Sequence, residues 1–124
     1  MEFFSGILES VRHAWRGFLL AFRSERSFRI QVAAGALVIL LVTIAPFATW
    51  ERVVLLLATA SVFVLELLNS MVERFVDLVK PRMHGYVRDI KDLMAAAVFV
   101  AAAFAAVIGL LILWPYLGLL VERV

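Results

Sequence analysis

The chain has 124 residues, 65% of them hydrophobic and only 18% charged, with a mean hydropathy of +1.00. That length excludes two ordinary domains, and so apolar a composition in so small a chain excludes a water-solvated globule. The net charge of +2 is too small to point to nucleic acid, and the lack of cysteine excludes disulfides, thiolate chemistry and Cys-based metal sites.

The first element is amphipathic. Phe4, Ile7, Leu8, Val11, Trp15, Phe18, Leu19 and Phe22 recur at helical spacing, while Glu9, Arg12 and Arg16 fall largely outside that stripe. The pattern predicts a helix in the membrane interface, apolar face down and basic face toward lipid phosphates; a soluble amphipathic helix is the alternative. A cleavable signal peptide is not expected, because the basic stub and apolar core of one are missing. Ser24-Glu25-Arg26-Ser27-Phe28-Arg29 reads as a short polar connector.

From Ile30 to Trp50 there is no charge, over a length of about 20 residues that matches a bilayer core. The second span begins near Val53 and is apolar to Leu65. Its helical pattern then continues through Glu66, Asn69, Glu73, Arg74 and Asp77. The polar stretch Lys80 to Asp92, with Pro81 and Gly85, reads as a loop. A third span follows from Leu93, ended by Pro115 or Gly118. The predicted fold is an all-α membrane protein forming a single domain over 1–124. It has a surface helix and connector at 1–27 and transmembrane helices at about 30–50, 53–79 and 93–117.

Basic residues set the expected orientation. Arg12, Arg16, Arg23, Arg26 and Arg29 precede the first span, and Arg74, Lys80, Arg82, Arg88 and Lys91 border the second loop, against Arg52 and Arg123 on the other side. The N-terminus and second loop are thus expected in the cytoplasm and the C-terminus outside.

Glu66, Asn69, Glu73 and Asp77 are spaced 3, 4 and 4 apart, so they share a helical wedge of roughly 80°. Carboxylates at membrane depth cost several kcal/mol unless paired, hydrated or metal-bound. Such a line can hold a hard divalent cation through oxygen ligands, and a carboxylate left over can accept a hydroxyl proton. The competing reading is that these acids pair with Arg74, Arg88 and Lys91 as structural glue. Lys91 falls at the same membrane level and can either neutralise phosphate or mark the interface as a snorkelling lysine. Small residues at Ala95, Ala96, Ala97, Ala101, Ala102, Ala103 and Gly109 favour close helix packing. No Walker loop, Rossmann glycine pattern or nucleophile elbow occurs, and His13 and His84 are isolated.

The string Glu66-x-x-Asn69-Ser70-x-x-Glu73-x-x-x-Asp77, followed by Lys91-Asp92-x-x-Ala95-Ala96-Ala97-Val98, resembles the signature of the prokaryotic diacylglycerol kinase family, which includes undecaprenol kinases. Ser24-Glu25-Arg26-Ser27-Phe28-Arg29, His13-Ala14-Trp15-x-Gly17 and Leu113-Trp114-Pro115 extend the resemblance over nearly the whole chain. It implies a domain-swapped homotrimer in the bacterial inner membrane, with ATP and magnesium required. It implies transfer of the γ-phosphate to a membrane lipid alcohol, either diacylglycerol or undecaprenol. By the same resemblance Glu66 is the general base, Glu25 and Glu73 hold metal, and Asn69 and Lys91 contact phosphate. Asp77 and Asp92 shape the site or the subunit contact, and Asp92 counts with the nucleotide-binding group. Arg29 supports the metal-binding segment, and His13 stands where a tyrosine near the nucleotide is common. Four positions depart from the family pattern: besides His13, Gln31 replaces a frequent acid, and Gly6 and Glu9 stand where some members are basic. A different class of function, a non-enzymatic membrane protein relaying protons or cations through its acids, is the alternative.

Overall fold

The computed structural model describes residues 2–79 and 84–121, which form four helices: α1 (Glu2–Ser24), α2 (Arg26–Ile44), α3 (Thr49–Val79) and α4 (His84–Val121). The described residues contain no strand. Three of the helices, α2, α3 and α4, are long and apolar enough to cross a membrane. Their large side chains point mostly outward, as at Leu40, Leu57, Phe99, Phe104 and Trp114. An apolar exterior on fully hydrogen-bonded helices is the arrangement that lipid requires.

Local chemistry sets the breaks. Between α1 and α2 only Glu25 leaves the helical conformation, with extended angles of φ −124° and ψ 121°. Three of the last four carbonyls of α1, orphans of the helical ladder, find donors beyond the helix: the Glu25 N–H reaches Ala21 O at 2.9 Å, and Arg29 Nη1 reaches both Phe22 O and Arg23 O at 3.3 Å. Ser24 Oγ adds a bond to Leu20 O at 2.7 Å. The Arg29 guanidinium also places a positive charge at the negative end of the α1 dipole. α2 stops before Pro46, whose ring pushes the preceding residue out of the helical region. Ala45 accordingly sits at φ −81°, ψ 150°.

Several boundaries differ from the sequence reading: α2 takes in part of the expected connector and runs Arg26–Ile44 where 30–50 was expected, and Thr49 and Trp50 already belong to α3. α4 starts at His84, so the polar stretch up to Asp92 is helical from that point on, and the charges at Arg88, Asp89 and Asp92 ride exposed on its first turns. α4 also continues through Pro115, which transmembrane helices tolerate because neighbouring groups re-satisfy the freed carbonyl. The predicted loop residues 80–83, and Arg123, lie outside the described residues.

α3 is the helix the others share: it packs along α4 and against α2, and α1 touches both α2 and α3. One apolar core joins Val42, Phe47, Leu55 and Ile112 at the end of the bundle near the α2–α3 turn. A second knot lies at the other end, where Phe28 is fully buried, edge-on to Phe18 at 5.1 Å and tilted against Phe63 at 6.2 Å. It ties α1, α2 and α3 together beside the acidic line. Gly35 admits the Phe63 ring: any Cβ there would collide with it.

Candidate active site

The buried face of α3 carries Leu55, Val62, Glu66 and Ser70 in succession. Helical periodicity thus turns the first acid of the line inward, and Glu66 is 1% exposed. A carboxylate so buried needs a donor, and Ser27 on the first turn of α2 supplies it: its Oγ donates to Glu66 Oε1 at 2.9 Å. Such a bond to a charged group contributes about 1.5–3 kcal/mol. One turn further along, Ser70 Oγ donates to the Glu66 carbonyl at 3.1 Å.

The remaining polar residues of α3 step outward along the same line. Asn69 Nδ2 lies 3.4 Å from Glu73 Oε1, a long contact between half-buried side chains. Asp77 is paired with Lys91 of α4, Nζ to Oδ1 at 2.8 Å. Lys91 therefore does stand level with the far end of the acidic line, held there by one of its acids. Arg74 donates from Nη2 to Ser24 Oγ at 2.8 Å. Structural pairing of the acids thus applies to Asp77, while Glu66 takes a serine hydroxyl instead of a cation.

Glu25 sits half-buried in the α1–α2 connector, flanked on the chain by two contacts to α3: Ser24 with Arg74 and Ser27 with Glu66. On α3 those two contacts flank Glu73. Arg29 acts on the same connector by closing the end of α1. Two expected site residues are not drawn in. His13 lies exposed on α1, its Nε2 3.6 Å from Glu9 Oε1, and Asp92 is exposed on α4. Neither has a hydrogen bond or ion pair to the line among the described residues. Sequence reasoning gave Ser24 and Ser27 no part in holding the acidic line, and expected Arg74 to pair with its acids where it donates to Ser24. The one available signal was a pair of hydroxyls placed either side of Glu25.

Among the described residues no three acidic or histidine side chains converge as a metal cage. The donors on offer are single carboxylates, and that chemistry suits magnesium, which usually takes one or two protein carboxylates and completes its shell with water and substrate phosphate. Beside the line, between α1 and α3, lies a largely apolar cavity of about 450 Å³, walled by Gly17, Phe18, Ala21, Leu67 and Met71, with Ser70 and Arg74 as its polar members.

A sequence model of the family described as prokaryotic diacylglycerol kinase matches residues 12–113, a stretch that contains every residue discussed above as a site candidate. An undecaprenol kinase of Bacillus subtilis is 36% identical over 109 residues, covering 88% of this chain and 89% of the relative. A diacylglycerol kinase of Synechocystis is 38% identical over 117 residues, covering 93% of this chain and 67% of the relative. A diacylglycerol kinase of Escherichia coli is 28% identical over 115 residues, covering 93% and 94%.

Proposed function

Because the chain belongs to the prokaryotic diacylglycerol kinase family, and with it to the membrane lipid kinases, we propose that it transfers the γ-phosphoryl group of ATP to the hydroxyl of a membrane lipid alcohol. The observation that carries this reading is Glu66, a carboxylate 1% exposed and oriented by Ser27 at 2.9 Å. A buried carboxylate with one oxygen engaged can use its other oxygen as a proton acceptor.

In the proposed reaction the lipid hydroxyl gives its proton to Glu66 as its oxygen bonds to the γ-phosphorus. The bond from that phosphorus to the β–γ bridging oxygen breaks, and ADP leaves with that electron pair. Phosphoryl transfer asks the protein mainly for positioning and charge neutralisation. Glu25 and Glu73 would hold magnesium, which would supply neutralisation of charge on the nucleotide phosphates. Asn69 offers amide donors to a phosphate oxygen, and Lys91, steadied by Asp77, keeps two further N–H donors for another. Asp92 and His13 belong to the nucleotide side of this site, and Arg29 keeps the connector that carries Glu25 in shape. The cavity between α1 and α3 accommodates the first part of the lipid tail.

The acceptor is diacylglycerol or undecaprenol, the lipids for which the two kinds of relative are named. We place the protein in the bacterial inner membrane as a domain-swapped homotrimer, with α1 in the cytoplasmic interface and the C-terminus outside. The test is transfer of labelled phosphate from ATP by the purified protein in mixed micelles, with each lipid offered separately and magnesium present or absent. Labelled phospholipid that requires magnesium is the expected result, and the better acceptor assigns the branch. Folded protein that labels neither lipid would overturn the proposal.

A further inference from the structure

The connector Ser24 to Ser27 is attached to α3 at two points, and Glu25 lies between them. One attachment, Ser27 to Glu66, belongs to the site already described. The other does not: Arg74 is one residue past Glu73, and its hydrogen bond goes to Ser24.

The direction of each bond in this contact follows from the groups themselves. A guanidinium can only donate and a backbone carbonyl can only accept. Ser24 Oγ must therefore accept from Arg74 Nη2 at 2.8 Å while giving its single hydrogen to Leu20 O at 2.7 Å. The hydroxyl is locked from both sides, and it links the charge on α3 to the last turn of α1. A charged donor makes this a stronger bond than a neutral pair would give. Its position matters more than its strength, because the next residue is Glu25, the one extended position between α1 and α2. If the bond is lost, the α1 side of the connector loses its hydrogen bond to α3, and Glu25 is left to the Ser27 contact, the Arg29 bonds to the end of α1 and the packing of Phe28 on Phe18.

Building on the metal role proposed for Glu25, we propose that Arg74 is a positioning residue: acting through Ser24, it holds the Glu25 carboxylate toward α3 and so sets the affinity of the site for magnesium. Arg74 touches neither nucleotide nor lipid in this role. Only one N–H of its fork is engaged with Ser24, so a lysine can partly replace it, as it could not at a bidentate contact.

The experiment compares wild type with Arg74→Ala, Ser24→Ala, Arg74→Lys and Glu25→Ala, each checked for folding by thermal melting in detergent. The first readout is phosphate transfer at saturating ATP and lipid as magnesium is varied. Removing a group that orients a metal ligand typically weakens the metal by about tenfold or more. Arg74→Ala should therefore raise the magnesium concentration for half-maximal rate about tenfold, with a smaller change in kcat. Ser24→Ala should match it, the double variant should be no worse than either single change, and Arg74→Lys should recover most of the loss. The second readout uses protein free of metal and nucleotide: backbone amides of residues 24–28 should exchange hydrogen faster in Arg74→Ala and Ser24→Ala than in wild type. A wild-type magnesium requirement in Arg74→Ala, or unchanged exchange in the connector, overturns the proposal. Should Arg74→Ala not fold, Ser24→Ala and Arg74→Lys carry the same comparison. Glu25→Ala separates the two levels: if it leaves the magnesium requirement untouched, the metal role of Glu25 fails and this inference with it. If it raises the requirement and Arg74→Ala does not, only the inference fails.

Discussion

Ser27 and Glu66 illustrate how little is needed to turn a membrane-buried carboxylate to use. The acid lies on the buried face of α3, where an uncompensated charge would be expensive, and a single hydroxyl from α2 answers it. Glu66→Gln keeps the shape and the contact to Ser27 but removes the proton acceptor. It should lower kcat by about 10² to 10⁴, the span typical of a lost general base, while the melting temperature in detergent stays close to wild type. Turnover near normal in that variant would remove Glu66 from the base role. Ser27→Ala acts differently, since it leaves the charge in place with its donor gone. It should destabilise the fold by about 1.5–3 kcal/mol as well as slow the reaction, so a loss of activity with an unshifted melt would count against the contact as an anchor for the carboxylate. The line of acids was readable from spacing alone because helical periodicity converts steps of 3 and 4 into one face. Its serine partners were not: Ser24 and Ser27 meet α3 residues far away in the chain, and as isolated serines in a polar connector they carry no periodic signal.

At the level of helices, the two ends of α3 have separate chemistry. Near its N-terminus Glu51 is 9% exposed and accepts twice at Oε2: from the Ala48 N–H at 2.7 Å, which fills one orphan position at the helix start, and from Tyr116 OH of α4 at 2.5 Å. Arg52 closes the same turn by donating to the carbonyls of Phe47 and Ala45. This clamp fastens the α2–α3 turn to α4, and Phe47 packs edge-on to Tyr116 at 4.8 Å beneath it. At about 1.5 Å per residue, Glu51 and Glu66 are roughly 22 Å apart along the helix. Tyr116→Phe should therefore lower stability by about 1.5–3 kcal/mol without changing the magnesium requirement or kcat at a temperature where it is folded. A changed magnesium requirement would show that the two ends are coupled. Between them, Gly35→Leu should disrupt the contact of α2 with Phe63 and cost about 1–3 kcal/mol or more, visible as a lower melting temperature. The helices themselves were largely foreseeable from uncharged stretches of bilayer length, although α2 stops at Ile44, before Pro46, where the uncharged run to Trp50 read as one span. The start of α4 was not, because a helix that emerges from lipid carries charge on its first turns and, read alone, looks like a loop.

For the molecule as a whole, the proposed chemistry needs one orientation in the membrane, and the positive-inside rule applied to its arginines and lysines predicts the same one. ATP is cytoplasmic, so the end of the bundle that carries Ser27, Glu66 and Lys91 must face the cytoplasm. The basic residues agree: Arg12, Arg16, Arg23, Arg26, Arg29, Arg74, Arg88 and Lys91 all gather at that end of the helices, and Arg52 is the described exception at the other. The lack of cysteine makes this measurable, because any introduced thiol is the only one in the chain. Asp89 is exposed near the start of α4 and Thr49 is exposed at the start of α3, so both positions accept a reporter without opening the core. In right-side-out membrane vesicles, a thiol reagent that does not cross lipid should label Thr49→Cys from outside and should reach Asp89→Cys only after the vesicles are permeabilised. The reverse pattern would place the acidic line on the side without ATP, and the kinase mechanism would lose its nucleotide. Equal labelling of both from outside would mean dual insertion, in which case about half of the copies, at most, could contribute to turnover.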